Sequence, residues 1–208
     1  MARIHWNRRA SLVAVFMAGC LIASPFAFTA AQESKAPAAA KSQDQAMADL
    51  MKLAQPGPGH AFLKSLAGSW KAVSKTWTGG PNDPAIGEGS AETSMILGGR
   101  FLKEEFKGIN MGQPYEGMGL TGYDNGKKEF VNIWADTLAT GIMMQKGSLD
   151  AAGKALTMNG TYEDPLSGQS TAYRMVTRVV DKNTHIFEMY SKREGKEIKE
   201  MEITYTRK

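Results

Sequence analysis

Three carboxylates are the residues of this sequence best suited to acid–base chemistry: Glu104, Asp136 and Glu188. A carboxyl group does such work near neutral pH only if burial raises its pKa. Most acids here stand beside lysines in a solvated pattern, as in Lys103-Glu104-Glu105 and Lys196–Glu202. Trp134-Ala135-Asp136 differs, because residues two apart on a strand share a face. On an interior face the pair would be an aromatic wall with a polar anchor. Otherwise Trp134 packs a core and Asp136 starts the turn into Leu138.

Other routes to catalysis are thin. Beyond residue 31 the histidines are His60 and His185, one after a Pro-Gly breaker and one at the start of a strand. Two lone histidines make a poor metal site or base, although a single one would suffice for a haem. Residues 32–208 contain neither a G-x-S-x-G elbow nor a Ser-x-x-Lys pair. Gly117-Met118-Gly119-Leu120-Thr121-Gly122 has the dinucleotide spacing, but a hairpin turn follows where pyrophosphate binding needs a helix. Gly117 and Gly119 are better read as places where a crowded strand approaches a neighbour. The methionines, among them Met143-Met144, are scattered over separate strands. They suit adaptable filling of an interior better than a Cu(I) cluster. No metal and no cofactor is expected.

The N-terminus carries an address. Met1–Arg9 holds three arginines and no acid, Ala10–Ala23 is small and apolar, and Ser24–Ala31 ends in small residues. That order is the secretory pattern, with cleavage expected after Ala31 and a periplasmic or secreted mature chain. An apolar run of fourteen residues is short for a membrane anchor. Met17-Ala18-Gly19-Cys20 loosely fits a lipoprotein box, the alternative fate, and Arg8-Arg9 a twin-arginine signal. Cleavage would remove Cys20, the single cysteine, and with it disulfides and thiol chemistry. It would also take three of the 25 Lys and Arg, leaving 22 against 21 acids, so no basic surface for nucleic acid is implied.

Residues 32–55 read as a linker and a short helix. Asp44–Ala54 places Met47, Leu50, Met51 and Ala54 at helical spacing with Asp44 as cap, and Gln55–Gly59 breaks it. His60–Leu66 is a second short helix, and the two helices can cover an open end of the domain C-terminal to them. From Gly68 the period changes to strands of eight to twelve residues. They are Gly68–Thr78, Glu88–Leu97, Arg100–Asn110, Pro114–Tyr123, Lys128–Asp136, Thr140–Leu149, Ala155–Tyr162, Ser170–Val180, His185–Lys192 and Glu197–Arg207. Short turns rich in Gly, Asn and Asp imply antiparallel neighbours. Closing the sheet removes its bare edges, so an up-and-down barrel is expected and a sandwich is the second choice.

The wording of several stretches resembles the bacterial domain-of-unknown-function family 1579. They are Pro56–His60, Leu66–Trp70, Met95–Leu102, Gly117–Gly126, Trp134–Gly141, Glu188–Tyr190 and Met201–Lys208. That family is similar to the calycin barrels, which include lipocalins and fatty-acid-binding proteins. The resemblance implies an all-β, about ten-stranded calycin-like barrel over residues 56–208. It also implies that Arg207 packs across Trp70 to close the barrel. It implies no activity.

The expected function is to hold a small apolar or amphipathic molecule inside the barrel. Arg100 or Asp136 would orient its polar head, Trp134, Met143 and Tyr190 would form walls, and Glu104 completes the set. The alternative is a cell-envelope interaction module with a filled core. An enzyme using Glu104, Asp136 or Glu188 is the third reading.

Overall fold

A computed structural model describes residues 42–77, 83–110, 112–163, 168–193 and 195–208. The expected signal segment, its cleavage site, Cys20 and linker residues 32–41 lie outside these. So do Thr78, most of the Asp164–Gly168 turn, and Glu194.

Two helices precede ten strands. Helix α1, Gln43–Leu53, is capped by Ser42, whose hydroxyl accepts from the Gln45 amide at 3.2 Å. Asp44, the expected cap, instead lies in the first turn, where its charge suits the helix dipole. The apolar stripe of α1 was expected to cover the domain, yet the helix buries no residue. Met47, Leu50 and Met51 are all more than half exposed. The helix is held at its C-terminal end instead. Arg100 Nε donates to Ala54 O at 2.9 Å, and Asn125 Nδ2 donates to Leu53 O and Gln55 O at 2.7 Å each. These donors satisfy carbonyls that a helix end leaves free.

Helix α2, Pro58–Ser65, starts with a proline where no amide is needed. His60 Nδ1 accepts from the Gly57 amide at 3.0 Å and so closes the first turn. Phe62 and Leu63 are buried, and α2 packs against strands β2, β3 and β4. This helix does cover one end of the domain.

The strands are β1 Gly68–Thr76, β2 Ala85–Ile96, β3 Phe101–Asn110, β4 Gln113–Asp124, β5 Glu129–Asp136, β6 Met143–Leu149, β7 Ala155–Glu163, β8 Ser170–Asp181, β9 Thr184–Arg193 and β10 Lys196–Arg207. Each pairs antiparallel with its sequence neighbours, and β1 pairs with β10 to close the barrel. The expected ends agree to within three residues, and the sandwich is excluded. β6 begins at Met143 rather than Thr140, because its last pair with β5 is Trp134 opposite Met143.

Register decides which side chains point inward. Trp70 faces Arg207 across the closing ladder, with the guanidinium 4.1 Å from the indole centre. Arg207 also donates from Nη1 to Ala67 O and from Nε to Lys182 O, both at 3.0 Å. Trp70 Nε1 donates to Leu66 O at 3.0 Å, tying the end of α2 to the first strand. Gly68 has φ +146°, and a Cβ there would stand 2.1 Å from Arg207 Nη1. Only glycine suits both the backbone and the guanidinium.

Two apolar clusters fill the barrel interior, the first at its α2 end. Phe62, Leu63 and Leu66 meet Leu102, Phe130, Leu156 and Met158 in a plug. Trp70, Ala72, Ala91, Phe106, Ile203 and Tyr205 form a second cluster, and Tyr115, Trp134, Phe187 and Met201 pack against it. Replacing Trp70 with Ala is expected to cost about 3–5 kcal/mol, the usual loss for a buried indole. Urea unfolding checks it; an unchanged midpoint would remove Trp70 from the closing interaction.

Candidate functional site

Glu104, Trp134, Asp136 and Met143 share the inner wall, Glu104 at mid-strand and the other three toward the end opposite α2. Glu104 faces inward from the middle of β3, opposite Thr93 on one side and Gly119 on the other. Its carboxyl accepts from the Tyr205 hydroxyl at 3.3 Å. Burial pushes its pKa up to about 7, against the opposing pull of the Tyr205 hydrogen bond. It is nevertheless only half-buried by surface. It lies deep in the molecule, far from bulk solvent, and keeps some accessible surface.

Trp134 and Asp136 both face inward, and Asp136 also starts the turn. Asp136 Oδ2 accepts from Trp134 Nε1 at 3.0 Å and from the Tyr115 hydroxyl at 3.1 Å, while Oδ1 accepts from the Leu138 amide at 2.9 Å. Burial and then Asp136 raise the pKa of Tyr115, which keeps it a donor. The Trp134 indole lies flat on β4. A Cβ at Gly117 would come within 2.3 Å of it, and one at Gly119 within 2.9 Å. The glycine pattern therefore makes room for an aromatic ring, and β4 runs through a turn into β5 rather than into a helix. Met143 stands opposite Trp134 and is half-buried.

Arg100 and Tyr190 are not part of this group. Arg100 lies in the β2–β3 turn and is spent on Ala54 O and Leu97 O. Tyr190 projects from the outer face, because its neighbours Met189 and Ser191 take the inward positions. The Arg174 guanidinium covers its ring at 4.2 Å, and its hydroxyl donates to Glu188 Oε1 at 3.1 Å. Glu188 shares that outer face. Burial would raise its pKa, but Lys199, at 2.6 Å, with Tyr190 and Arg178 holds it below the usual value. A carboxyl held in that way is a poor proton donor.

A polar belt went unnoticed in the sequence. Thr121 Oγ1 donates to Asn132 Oδ1 at 2.8 Å, Asn132 Nδ2 to Gln145 Oε1 at 2.5 Å, and Gln145 Nε2 to the Tyr173 hydroxyl at 2.8 Å. It crosses strands β4, β5, β6 and β8 between the apolar plug and the Trp134 layer. No sequence motif marks it; only the alternation placing Asn132 and Gln145 on inward positions could have suggested it.

His60 is used as a cap, and burial followed by Arg100 lowers its pKa. His185 is enclosed, with its ring 4.3 Å from Tyr205 in a stack and 4.4 Å from Trp70 edge-on. Its Nδ1 has no hydrogen-bond partner. Burial and then Arg207 pull its pKa down to about 4. Among the described residues, no three His, Cys, Asp or Glu side chains are grouped to hold a metal ion.

The α2 end has an opening of its own. A cleft of about 650 Å³ separates α2 from the turns joining β4 to β5 and β6 to β7. Phe62, Tyr123, Phe130, Leu149 and Val179 line it, with Lys128 and Lys154 at the rim. Lys128 holds a left-handed backbone conformation, φ 56°, unusual for a residue with a side chain.

Residues 55–207 match the family described as "Protein of unknown function (DUF1579)". The chain belongs to that family. No curated protein sequence matches it. The crystal structure of Rv2717c from M. tuberculosis is similar at 12% identity with a TM-score of 0.52, over 74% of this chain and 99% of that one. At that identity the likeness concerns the barrel fold alone. A redesigned β-barrel, b11L5F_LGL, superposes at TM-score 0.38 and 12% identity, over 70% of this chain and 94% of its own. EF1p2_mFAP2b bound to DFHBI superposes at 0.39 and 13%, over 73% and 100%. In this DUF1579 chain the matched stretch takes in α2 and all ten strands and leaves out α1.

Glu104 and His185 predict opposing pH slopes. Folding raises the Glu104 pKa from 4.5 to about 7, so its contribution is complete below pH 4.5 and is lost as pH rises toward 7. Folding lowers that of His185 from 6.5 to about 4, so its contribution is complete above pH 6.5 and is lost as pH falls toward 4. Glu104→Gln should therefore leave a stability that climbs between pH 4 and 6.5, and His185→Phe one that declines between pH 4.5 and 7. Each slope should amount to about 1–3 kcal/mol across its window. Denaturant midpoints at five pH values measure both. Gly117→Val should cost about 1–3 kcal/mol by overpacking Trp134 and red-shift its fluorescence; an unshifted spectrum would detach the glycine from the indole.

Proposed function

We propose that this chain is an exported barrel whose lumen holds a small apolar or amphipathic molecule. One observation carries the reading: inside a closed wall, Glu104, Tyr115, Trp134 and Met143 all keep accessible surface. Tyr115 and Trp134 pack on one side against the cluster of Trp70, Phe106 and Tyr205, and the surface they keep is what a guest would cover. Ligand sites are mostly apolar with a few placed polar groups, and an indole, a thioether and two carboxyls fit that description. Trp134 and Met143 are the proposed walls, and Asp136 and Glu104 the polar contacts. Arg100 and Tyr190 have no part in it. Export rests on the basic, apolar and small-residue zones of residues 1–31.

An interaction module is the second reading, and the exposed face of α1 favours it. Uptake of a neutral apolar dye, N-phenyl-1-naphthylamine, separates the two. The proposal expects bright, saturable fluorescence that Met143→Trp, which crowds the lumen, removes. Phe62→Trp, which crowds the α2 cleft, should leave the signal in place. The opposite pattern would move the guest to that cleft, and no uptake by any variant would favour the interaction module. After expression in a Gram-negative host, the periplasmic protein should begin at Gln32; an N-terminus at Met1 or a lipid on Cys20 would refute that cleavage.

A further inference from the structure

We infer that the lumen selects guests bearing a positive charge, in the class of an arylalkyl amine. The inference rests on the lumen-binding reading and adds the sign of the charge.

Side chains able to carry charge that face the interior include Glu104, Asp136, His185 and Arg207, and Glu200, at the β10 irregularity, accepts from the inward Ser191 hydroxyl. Arg207 is stacked on Trp70 and committed to two carbonyls at the α2 end. His185 is shut between Trp70 and Tyr205. Toward the end opposite α2, Glu104 and Asp136 have no cation partner among the described residues. The polar hydrogens around them are already aimed at these acids: Tyr205 donates to Glu104, and Tyr115 and Trp134 donate to Asp136. Glu104 Oε2 is left without a hydrogen-bond partner among the described residues.

The walls point the same way. Indole and phenol rings present negative faces, which attract a cation and not an anion. An incoming carboxylate would set a third acid beside Glu104 and Asp136 where water cannot screen it. An ammonium would give Glu104 Oε2 a donor and keep the carboxyl ionised. Glu104 is neutral over part of its population near pH 7, so a cation binding below that pH must displace a proton. The groups facing Glu104 are Tyr205 on β10, Tyr115 on β4 with Asp136 of β5 behind it, and Thr93 on β2. Both tyrosines are raised further from neutrality, leaving the carboxyl as the group that titrates.

The test holds the ring constant and changes the charge. Titration calorimetry with the chain from Gln32 would compare 2-naphthylmethylammonium, 2-naphthylmethanol and 2-naphthoate at pH 8. The ammonium should bind about tenfold tighter than the alcohol, as one desolvated ion pair gives, with the naphthoate weakest. Glu104→Gln should abolish the ammonium's advantage and leave the alcohol's affinity within about twofold. If that variant fails to fold, Asp136→Asn should narrow the same ratio. Naphthoate binding as tightly as the ammonium overturns the inference, as does an ammonium-to-alcohol ratio unchanged in both variants. If the alcohol binds and the ammonium gains nothing, the charge preference fails and the lumen reading stands. If none of the three binds and the neutral dye is also excluded, both fall.

Discussion

The β1–β10 ladder is the contact that makes the sheet a barrel, and every inward position depends on it. Its residues lie at the two ends of the domain, so it closes a loop of the whole chain and forms at a large entropic cost. Backbone hydrogen bonds alone contribute little net free energy toward that cost. Trp70 and Arg207 add burial, a cation over an indole face, and donors to carbonyls from two other segments. Because Trp70 also bonds the end of α2, the same pair joins the ring and places the helix that plugs it.

The plug makes the two ends of the barrel different. At the α2 end, aromatic and aliphatic side chains from the helix complete the packing. At the other end no described helix does so; the rings of Phe106 and Trp134 lie against glycine backbones, and Phe106 also meets Tyr115 and Tyr205 edge-on. The Thr121–Asn132–Gln145–Tyr173 belt lies between the plug and the Trp134 layer, and each member pairs with the next. A satisfied network of that kind fixes rotamers. Burial in such a place raises the pKa of Glu104, because the carboxylate form loses bulk water without gaining a cation.

Helix α1 shows the limit of local pattern. Its apolar spacing is regular, and its cap and breaker are in place, so the helix itself was legible. Whether its stripe meets the barrel depends on where Arg100 and Asn125 hold its C-terminal carbonyls, and those residues lie far along the chain.

Much was determined by the sequence alone. The ten strands, their turns, the antiparallel order and the closed barrel follow from period-two alternation and turn residues, which act over a few residues and survive any packing. The glycine run at 117–122 was legible as close approach because the following turn excluded a helix. Tertiary structure decided the rest. It put Glu104 inside the barrel although its neighbours Lys103 and Glu105 suggest a solvated edge, since strand alternation sends adjacent residues to opposite faces and only closure says which face is inside. It sent Tyr190 outward and tied Arg100 to α1. It joined Asn132 to Gln145, thirteen positions apart, across a strand pair. Charge partners and cavities arise from contacts between strands distant in sequence, and their chemistry came into view only when the ring was closed.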